Sequence, residues 1–415
     1  MKVLYLAPQL PWPLDQGARI RNYYLLRALA AEHSVDLLCL DGGRATTPAT
    51  DLDIGPLVEL CRRVEVFPAP ARRRAARLRT LVRSPLPDLA HRAWQPALAR
   101  RLRDLLAGEP YDVAQLSSLE MIPYRRLLAG GRRPRVVFDD LNAEYQLQRR
   151  ACLTDLGQPR RWHAALYSAV QWRRLRAYEG RVCREADTVI AVSDTDAAHL
   201  RRLAPAARLL VLPNGVDTTA FAYREPTAES GGPSDAAPTL LFTGTMDYRP
   251  NVDAMLWFAE AIWPRLRAAW PGLRCLIVGK APDARLLAAA RRQAGLEVTG
   301  AVPDVRPYLA RAAVYVVPMR MGSGVRLKVL EAMAAGVPVV STRMGLEGVA
   351  AVPGEHALLA DPALAARLAA RARGLVEERY AWTCLAPTLL TLYETLAGRA
   401  TGDHGSSIGS STWTV

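Results

Sequence analysis

The segment Pro318–Thr342 constrains the fold of this chain more than any other part of the sequence. It follows a short β-branched run, Val314–Val317, which has the length and composition of a buried parallel strand. The turn Gly322-Ser323-Gly324 comes next and lets the backbone approach a ligand closely, and a helix is predicted to begin near Val325. A second apolar run, Val337–Ser341, completes a pattern of strand, glycine loop, helix and strand.

This pattern favours an anion-binding site. The first N–H groups of a helix lack partners within the helix, and the helix dipole adds positive potential at the same end. Arg326 and Lys328 bring two cations to that end, where the dipole opposes them, and Glu331 follows about one turn later. A diphosphate beside a hydroxyl-bearing sugar would satisfy all of these groups together. Glycine turns before helices are also common in α/β proteins generally, so a plain turn stays open as the alternative.

The same segment resembles the donor-nucleotide signature of retaining glycosyltransferases of the GT-B type, in particular glycosyltransferase family 4. The family pattern is Glu-x7-Glu, with the second glutamate followed by Ala-Met-Ala-x-Gly-x-Pro-Val-Val, and residues 330–340 read LEAMAAGVPVV. The second glutamate falls on Glu331, which the resemblance implies holds the ribose of the nucleotide. The first, which contacts the transferred sugar in the family, is replaced by Ser323.

Length and hydrophobic pattern predict two α/β domains. The 415 residues leave room for two domains of about 200 residues each, and either could bury a core. Short β-branched runs alternate with longer Ala/Leu/Arg-rich stretches, which is an α/β pattern. The predicted strands lie at 2–7, 35–40, 64–67, 113–117, 135–139, 188–192 and 209–212 in the first half, and at 240–243, 275–278, 297–299, 314–317, 337–341 and 356–360 in the second.

The resemblance implies two Rossmann-like doubly wound domains that face each other across an interdomain cleft. We place an acceptor-side domain at 1–215 and a nucleotide-sugar domain at 216–379, with a helix at about 380–397 that packs back on the first domain. The Gly/Ser/Pro-rich residues 227–238 predict a linker or surface loop, and residues 398–415 predict a disordered tail. Doubly wound domains bind ligands at the carboxyl ends of their strands, so we expect the active site in the cleft.

Further loops match the family's donor site. Gly17 enters a helix after the first strand, as in the family's glycine loop, and residues 213–217 read PNGVD, like the family's segment at the domain junction. Relatives place an arginine and a lysine where this chain has Thr245 and Asn251. We infer that Arg326 and Lys328 supply that charge instead, the alternative being that both face solvent. The predicted donor-binding residues are Gly17, Gly244, Thr245, Val302, Gly322, Ser323, Gly324, Leu330 and Glu331.

A polar cluster follows the predicted strand 135–139. It resembles the family's D-x-H-N-x-E segment, with Leu141 in place of the histidine. The resemblance implies that the candidates for catalysis are Asp139, Asn142 and Glu144, together with Arg326 and Lys328, and that Asp140 is a further polar candidate. A donor phosphate oxygen can accept the acceptor proton in this family, so a missing histidine fits an active enzyme as well as a weakened one.

Several other functional classes find no support in the sequence. Neither G-x-G-x-x-G nor G-x-x-x-x-G-K-[ST] occurs, which argues against a dehydrogenase and a P-loop NTPase. Asp194-Thr-Asp196 has the letters of a metal motif but opens a helix, so capping explains it, and we expect no metal or cofactor. The six cysteines lack ligand spacing, and neither an export signal nor a membrane-spanning run is recognisable, which predicts a cytoplasmic protein.

Positive charge is concentrated in the first half. Residues 1–220 hold 34 Lys and Arg against 23 Asp and Glu, and residues 62–103 hold 12 arginines against two acids. Such a segment is expected to attract an anionic membrane, although an arginine-rich solvated surface is an equal alternative. The arginines of the predicted basic helix are Arg72, Arg73, Arg74, Arg77, Arg79 and Arg83.

The sequence therefore predicts a cytoplasmic retaining glycosyltransferase that moves a sugar from a nucleotide-diphosphate sugar to a glycan or lipid-linked acceptor in polysaccharide or cell-envelope synthesis. It is expected to rest peripherally on the inner membrane face and to bind no nucleic acid. Two alternatives remain. One is a nucleotide-sugar epimerase or hydrolase on the same fold. The other is a basic membrane- or RNA-binding protein on a weakened transferase scaffold.

Overall fold

The chain folds into two compact α/β units. A computed structural model describes residues 1–41, 53–71, 74–129, 133–157, 162–223, 238–322, 325–352, 354–356 and 362–396. One unit comprises Met1–Pro213 together with Leu385–Val415, and the other comprises Asn214–Cys384. The division between the units falls inside the PNGVD segment, between Pro213 and Asn214.

The first domain is built on a seven-stranded parallel sheet. Its strands are β1 (Lys2–Ala7), β2 (Ser34–Leu40), β3 (Arg63–Phe67), β4 (Val113–Ser117), β5 (Arg135–Asp140), β6 (Thr188–Ala191) and β7 (Leu209–Val211). They lie in the order β3-β2-β1-β4-β5-β6-β7, so the strand order reverses between β1 and β4. In a doubly wound sheet this reversal opens a crevice at the carboxyl ends of the strands.

The helices of the first domain connect these strands. Gly17–Glu32 (α1) follows β1, and the long helices Glu144–Leu156 (α5) and Trp162–Glu185 (α6) form a hairpin between β5 and β6. The others are α2 (Leu57–Leu60), α3 (Arg74–Arg83), α4 (Pro96–Gly108) and α7 (Asp194–Leu203). The apolar strand residues, such as Leu4, Leu6 and Phe138, are fully buried, as expected for a sheet covered on both faces.

The second domain has a five-stranded parallel sheet. Its strands are β8 (Thr239–Thr243), β9 (Arg274–Val278), β10 (Leu296–Gly300), β11 (Val314–Val317) and β12 (Val339–Ser341), in the order β10-β9-β8-β11-β12. The helices are α8 (Arg249–Trp257), a π-helical turn (Phe258–Ile262), α9 (Trp263–Ala269), α10 (Ala284–Arg292), α11 (Arg306–Leu309), α12 (Leu327–Ala334) and α13 (Pro362–Arg379).

The last described helix, α14 (Trp382–Leu396), contributes to the first domain from Leu385 onwards. Its Tyr393 is fully buried, donates a hydrogen bond to Oε1 of Gln115 on β4 and stacks on His33 at 6.0 Å between ring centroids. A buried tyrosine hydroxyl needs such a partner, and Gln115 lies in the middle of the sheet. These contacts tie α14 to the core of the first domain.

The fold class is the predicted one, and twelve of the thirteen predicted strands are present within two residues of their expected bounds. The strand expected at 356–360 lies outside the described residues except for His356, which is in a turn. The expected linker, apart from Pro238, and the expected tail also lie outside them.

Five cysteines are buried, whereas Cys384 is exposed. Within the described residues, no helix has the length and apolar character to cross a membrane.

Candidate functional site

Three loops meet at the carboxyl edge of the second domain's sheet. Gly244 follows β8, Gly279 follows β9, and Gly322 lies in the loop after β11. The Gly244 N–H donates to the Val278 carbonyl at 3.0 Å, and a Cβ on Gly279 would lie only 1.7 Å from the Gly244 oxygen. The first two loops therefore touch backbone to backbone, and no larger residue fits at position 279.

Lys328 lies beside this crossing. Its Nζ donates to the Thr243 carbonyl at 3.0 Å and to Oδ1 of Asn251 at 2.8 Å, and it lies 4.0 Å from the centroid of the Phe242 ring. Gly244 has a φ of +151°, and a Cβ there would come within 3.0 Å of the Lys328 Nζ. The lysine is thus packed against the loop that follows β8.

The surroundings of Lys328 disfavour its positive charge. Burial is the largest influence that lowers its pKa to about 7, and the positive charge of Arg326 acts in the same direction. Among the described residues its hydrogen-bond partners are a carbonyl and an amide oxygen, both neutral. A dianion bound at this edge would restore the pKa of Lys328 towards its ordinary value.

Arg326 occupies the N-cap position of α12, and its side chain is buried. The helix begins at Leu327, two residues later than expected, and Arg326 is its N-cap residue, with only 8% of its surface exposed. The guanidinium lies against Gly322, since a Cβ on that glycine would be 2.8 Å from Nη2 of Arg326. The alternative that both cations face solvent is therefore wrong, because Arg326 is buried and Lys328 is half-buried.

Glu331 lies one turn along α12, where it was expected. Burial raises its pKa to about 7, although Lys328 lowers it. No hydrogen bond from a described residue reaches its carboxylate, which leaves both oxygens able to accept from ligand hydroxyls. Lys328 and Glu331 thus form a pair of partly buried, opposite charges at the mouth of the loop.

The remaining predicted donor residues differ in position. Thr245 is half-buried in the loop after β8, Val302 packs against the domain core after β10, and Gly17 is exposed at the first turn of α1 in the other domain. Leu330 requires a correction, because its side chain is fully buried in the core and any ligand contact would involve its backbone. Ser323 and Gly324 lie outside the described residues.

The first domain holds a cavity of about 570 Å³ at the carboxyl ends of β1 to β5. Its volume is in the range of small-molecule sites, about 300–1,000 Å³. Its lining combines apolar side chains, among them Leu40, Leu89 and Leu147, with charged and amide groups. The polar residues on its wall are Gln9, Arg92, Ser118, Glu120, Asp140, Asn142 and Glu144.

A buried carboxyl pair lies beside this cavity. Asp140, which lines the cavity, is 1% exposed, and the charge of Glu179 from α6 adds to the burial that raises the pKa of Asp140. Burial raises the pKa of both groups, so the pair retains a proton at neutral pH. Glu179 also accepts from the backbone N–H of Glu144 at 2.9 Å and of Tyr145 at 3.0 Å, which caps α5 from a neighbouring helix.

Glu144 and Glu120 add further acidic groups to the lining of the cavity. Burial is the main cause that raises the pKa of Glu144 to about 7, with Glu120 adding to it and a hydrogen bond from Asn142 opposing it. Nη1 of Arg92 donates to Glu120 at 3.4 Å. Ser118 has a φ of +74°, an uncommon strained conformation for a residue other than glycine. The wall therefore offers three carboxyl groups, two amides, a serine hydroxyl and one arginine.

Asp139 has a different role from the one predicted. It is fully buried and does not line the cavity, and Arg21 of α1 binds it through Nη2 at 2.6 Å and through Nε at 3.0 Å. Nη1 of Arg21 also donates to the carbonyls of Leu212 and Pro213. Asp139 and Arg21 thus link the end of β5 to the residues that follow β7, where the chain leaves this domain.

Sequence reasoning missed Arg92, Glu120 and Glu179. Arg92 was counted within the basic segment, and Glu179 lies far along α6, so neither carries a local signal. A buried acid in a helix that is otherwise rich in arginine was the available hint for Glu179.

Asp194 opens α7, and Ser193 caps it by accepting from the Asp196 N–H at 3.1 Å, as expected. Over the described ranges, no group of three or more His, Cys, Asp or Glu side chains is placed to hold a metal ion.

Comparison with known families supplies the wider context. The model described as Glycosyltransferase Family 4 matches residues 16–220, and the model described as Glycosyl transferases group 1 matches residues 237–378. The chain belongs to the group 1 and family 4 glycosyltransferases. The matched ranges hold the second-domain glycine loops and all of the cavity wall of the first domain except Pro8 and Gln9.

Among curated relatives of this family 4 chain, a glycogen synthase of Mycobacterium tuberculosis is 30% identical over 226 residues, which is 52% of either chain. A phosphatidyl-myo-inositol mannosyltransferase of Mycolicibacterium smegmatis is 33% identical over 229 residues, or 50% of this chain and 57% of the relative. The chain thus spans little more than half the length of the curated relatives it matches.

Solved structures share the GT-B fold. A sucrose-phosphate synthase from Thermosynechococcus elongatus superimposes with a TM-score of 0.71 at 21% identity over 96% of this chain and 100% of that one. The Anabaena protein HepE, in complex with UDP and glucose, gives a TM-score of 0.61 at 14% identity over 95% of this chain and 100% of that one. At these identities the likeness concerns the fold alone.

Proposed function

We propose that this protein is a retaining glycosyltransferase that moves a sugar from a nucleoside-diphosphate sugar to a hydroxyl group of a glycan or lipid-linked acceptor. The observation that carries the proposal is the pair of cations, Arg326 and Lys328, packed among the glycine loops at the start of α12, with Glu331 one turn beyond. Family membership and the UDP complex of HepE support a nucleotide donor.

Each group of the second domain has a task in this proposal. Arg326 and Lys328 stabilise the diphosphate as it leaves, which is the main electrostatic requirement of the reaction. Glu331 accepts hydrogen bonds from ribose hydroxyls. In the reaction, the acceptor oxygen bonds to the anomeric carbon, the bond from that carbon to the diphosphate oxygen breaks, and the acceptor proton passes to the departing diphosphate. No resident metal or cofactor is needed for these steps.

The first-domain cavity is proposed to hold the acceptor. Asn142 and Glu144, together with Glu120, can orient sugar hydroxyls, and the apolar side chains of the lining can pack against the face of a ring. We further propose a role in polysaccharide or cell-envelope synthesis in the cytoplasm, with peripheral binding to the membrane. The exposed arginines of α3, among them Arg79 and Arg83, support that placement.

The proposal is tested by calorimetry with UDP, GDP and ADP, followed by NMR of the sugar released from the corresponding donors. Arg326→Met should weaken nucleoside-diphosphate binding by about 1.5–3 kcal/mol, the contribution of charged hydrogen bonds, and leave nucleoside binding almost unchanged. Arg292→Met, which removes an exposed arginine of α10 in the same domain, is the matched control.

Three outcomes would contradict the proposal. Equal losses for nucleoside and nucleoside diphosphate in Arg326→Met would show that Arg326 acts through stability. A donor sugar released or transferred with inverted anomeric configuration would exclude the retaining mechanism, and a changed sugar without transfer would favour an epimerase.

A further inference from the structure

One end of the α5–α6 hairpin is unusually apolar for a protein surface. Nine large hydrophobic side chains are exposed in the described part of the chain, and four of them are at this end. They are Leu153 and Leu156 at the end of α5, exposed by 52% and 54%, and Trp162 and Leu166 at the start of α6, exposed by 62% and 70%. We call these four residues the hairpin tip.

The four side chains lie on two adjacent helix ends. Leu153 and Leu156 are three residues apart, and Trp162 and Leu166 are four apart, so each pair shares one face of its helix. The Sγ of Cys152 donates to the Ala165 carbonyl at 3.4 Å, which places these ends of α5 and α6 side by side. Scattered apolar residues on a surface need no explanation, but a cluster marks an interaction site.

The surroundings of the tip are strongly basic. Between Tyr145 and Tyr178 the sequence contains seven arginines and a single acid, Asp155, which is 4% exposed. Exposed arginines of this hairpin include Arg149, Arg173 and Arg176. An apolar cluster within a positively charged surface complements an anionic lipid bilayer, where tryptophan prefers the interface.

Helix α3 continues the basic surface. Nη2 of Arg77 donates to the Tyr167 hydroxyl at 3.4 Å, and Nη2 of Arg174 donates to the Leu81 carbonyl at 2.7 Å. These contacts show that α3 runs beside α6 in the same direction, with its first turns nearest the tip. Its exposed residues include Arg79, Arg83 and Val82, the last exposed by 77%.

We infer that the hairpin tip inserts into the surface of an anionic membrane, with α3 and the flanking arginines held against the lipid headgroups. The inference deepens the peripheral membrane binding proposed above and does not depend on sugar transfer. It separates two contributions: the arginines bring the protein to the bilayer, and Trp162 and Leu166 anchor it in the apolar boundary. Anchoring of this kind persists at salt concentrations that screen exposed charges.

The test is co-sedimentation with vesicles of phosphatidylcholine, with and without phosphatidylglycerol, at rising salt. Wild type should bind only the anionic vesicles and should keep part of its binding at high salt. Exchange of both Trp162 and Leu166 to Ser should weaken binding about tenfold or more and remove the salt-resistant part. The matched control exchanges Trp270 and Val352, both exposed in the second domain, to Ser, and should bind like wild type.

A second pair of exchanges, Arg79→Gln and Arg83→Gln, should weaken binding at low salt and leave the salt-resistant part in place. Circular dichroism and UDP affinity confirm that each variant is folded. Unchanged vesicle binding by the tip variant would overturn the inference and leave the proposed membrane binding intact. Failure of wild type to bind anionic vesicles would overturn both. Tip-dependent dimerisation in light scattering without vesicle binding would assign the tip to a second copy of the chain instead.

Discussion

At the scale of single residues, the second-domain site is defined by charges held where they are poorly solvated. Lys328 and Glu331 have opposite charges and both pKa values lie near 7, for the same reason, burial. Shifts of this size at the edge of a sheet are typical of functional sites. In our proposal Lys328 binds the diphosphate and Glu331 binds the ribose, so their contributions to nucleotide affinity can be measured separately.

Glu331 should determine affinity for the ribose. Glu331→Ala is expected to weaken UDP binding by about 1.5–3 kcal/mol, because it removes hydrogen bonds between a charged group and ligand hydroxyls. Glu297→Ala, at an exposed position on β10, should leave UDP binding unchanged. Calorimetry on both variants measures the difference, and unchanged affinity in folded Glu331→Ala would remove this residue from the site.

Lys328 should couple nucleotide binding to protonation. A bound diphosphate raises its pKa, so binding takes up a proton above about pH 7, and affinity should fall as pH rises through about 7 to 8. Calorimetry in buffers of different ionisation enthalpy measures the uptake directly. Wild type and Glu331→Gln should both show it, whereas Lys328→Met should not. Uptake that persists in Lys328→Met would assign the proton to another group.

At the scale of elements, the carboxyl pair of Asp140 and Glu179 joins β5 to the start of α5. The N-cap residue of α5, Ala143, offers no side-chain cap, and Glu179 supplies that function from α6. Because the start of α5 depends on hydrogen bonds to Glu179, the positions of the residues around it, including Asn142 and Glu144, depend on Glu179 as well. The loop geometry of the cavity is therefore set by α6 as well as by β5.

This pair should make stability fall as pH rises. Burial raises the pKa of both carboxyl groups, so the native state holds a proton that the unfolded chain releases at lower pH. Asp140→Asn replaces one of the two carboxyl groups by an amide that does not titrate. It should raise stability at pH 8 by about 1–2 kcal/mol relative to wild type and flatten the dependence. Denaturant unfolding at several pH values measures this.

The control for that measurement is Asp194→Asn, the same exchange at an exposed position of α7, which should leave the pH dependence of wild type unchanged. An Asp140→Asn variant with the full wild-type decline in stability would show that the pair does not hold the proton. A variant that loses stability at every pH would show that the amide does not fit the buried position.

The same elements show how far the sequence could be interpreted. Strands such as β1 and β11 were predictable because short β-branched and apolar runs between turn residues are typical of buried strands. The group formed by Arg326, Lys328 and Glu331 was predictable because these residues are close together in the chain. The partners of Asp139 and Asp140 were not, since Arg21 and Glu179 lie 118 and 39 residues away in sequence and only the assembled fold brings them together.

At the scale of the whole molecule, positive charge is divided between two purposes. The first half of the chain carries most of the net charge of +14, and its arginines lie largely on exposed helices such as α3 and α6. The second domain carries little net charge, but it holds two cations, one buried and one half-buried, at a single edge of its sheet. In our proposals, the surface charge attracts the protein to anionic membranes, and Arg326 and Lys328 carry the chemistry.

That division predicts that the reaction is independent of divalent metal ions. In our proposal Arg326 and Lys328 neutralise the departing diphosphate, a task that a metal ion performs in many other phosphate sites. Removal of metals with EDTA should therefore leave turnover and UDP affinity unchanged within about twofold, far less than the tenfold that a lost 1.4 kcal/mol would give. Arg326→Met should be impaired with or without EDTA. A large loss of wild-type turnover in EDTA, restored by Mg²⁺ or Mn²⁺, would show that a metal ion carries the charge instead, and the two cations would then have a structural role.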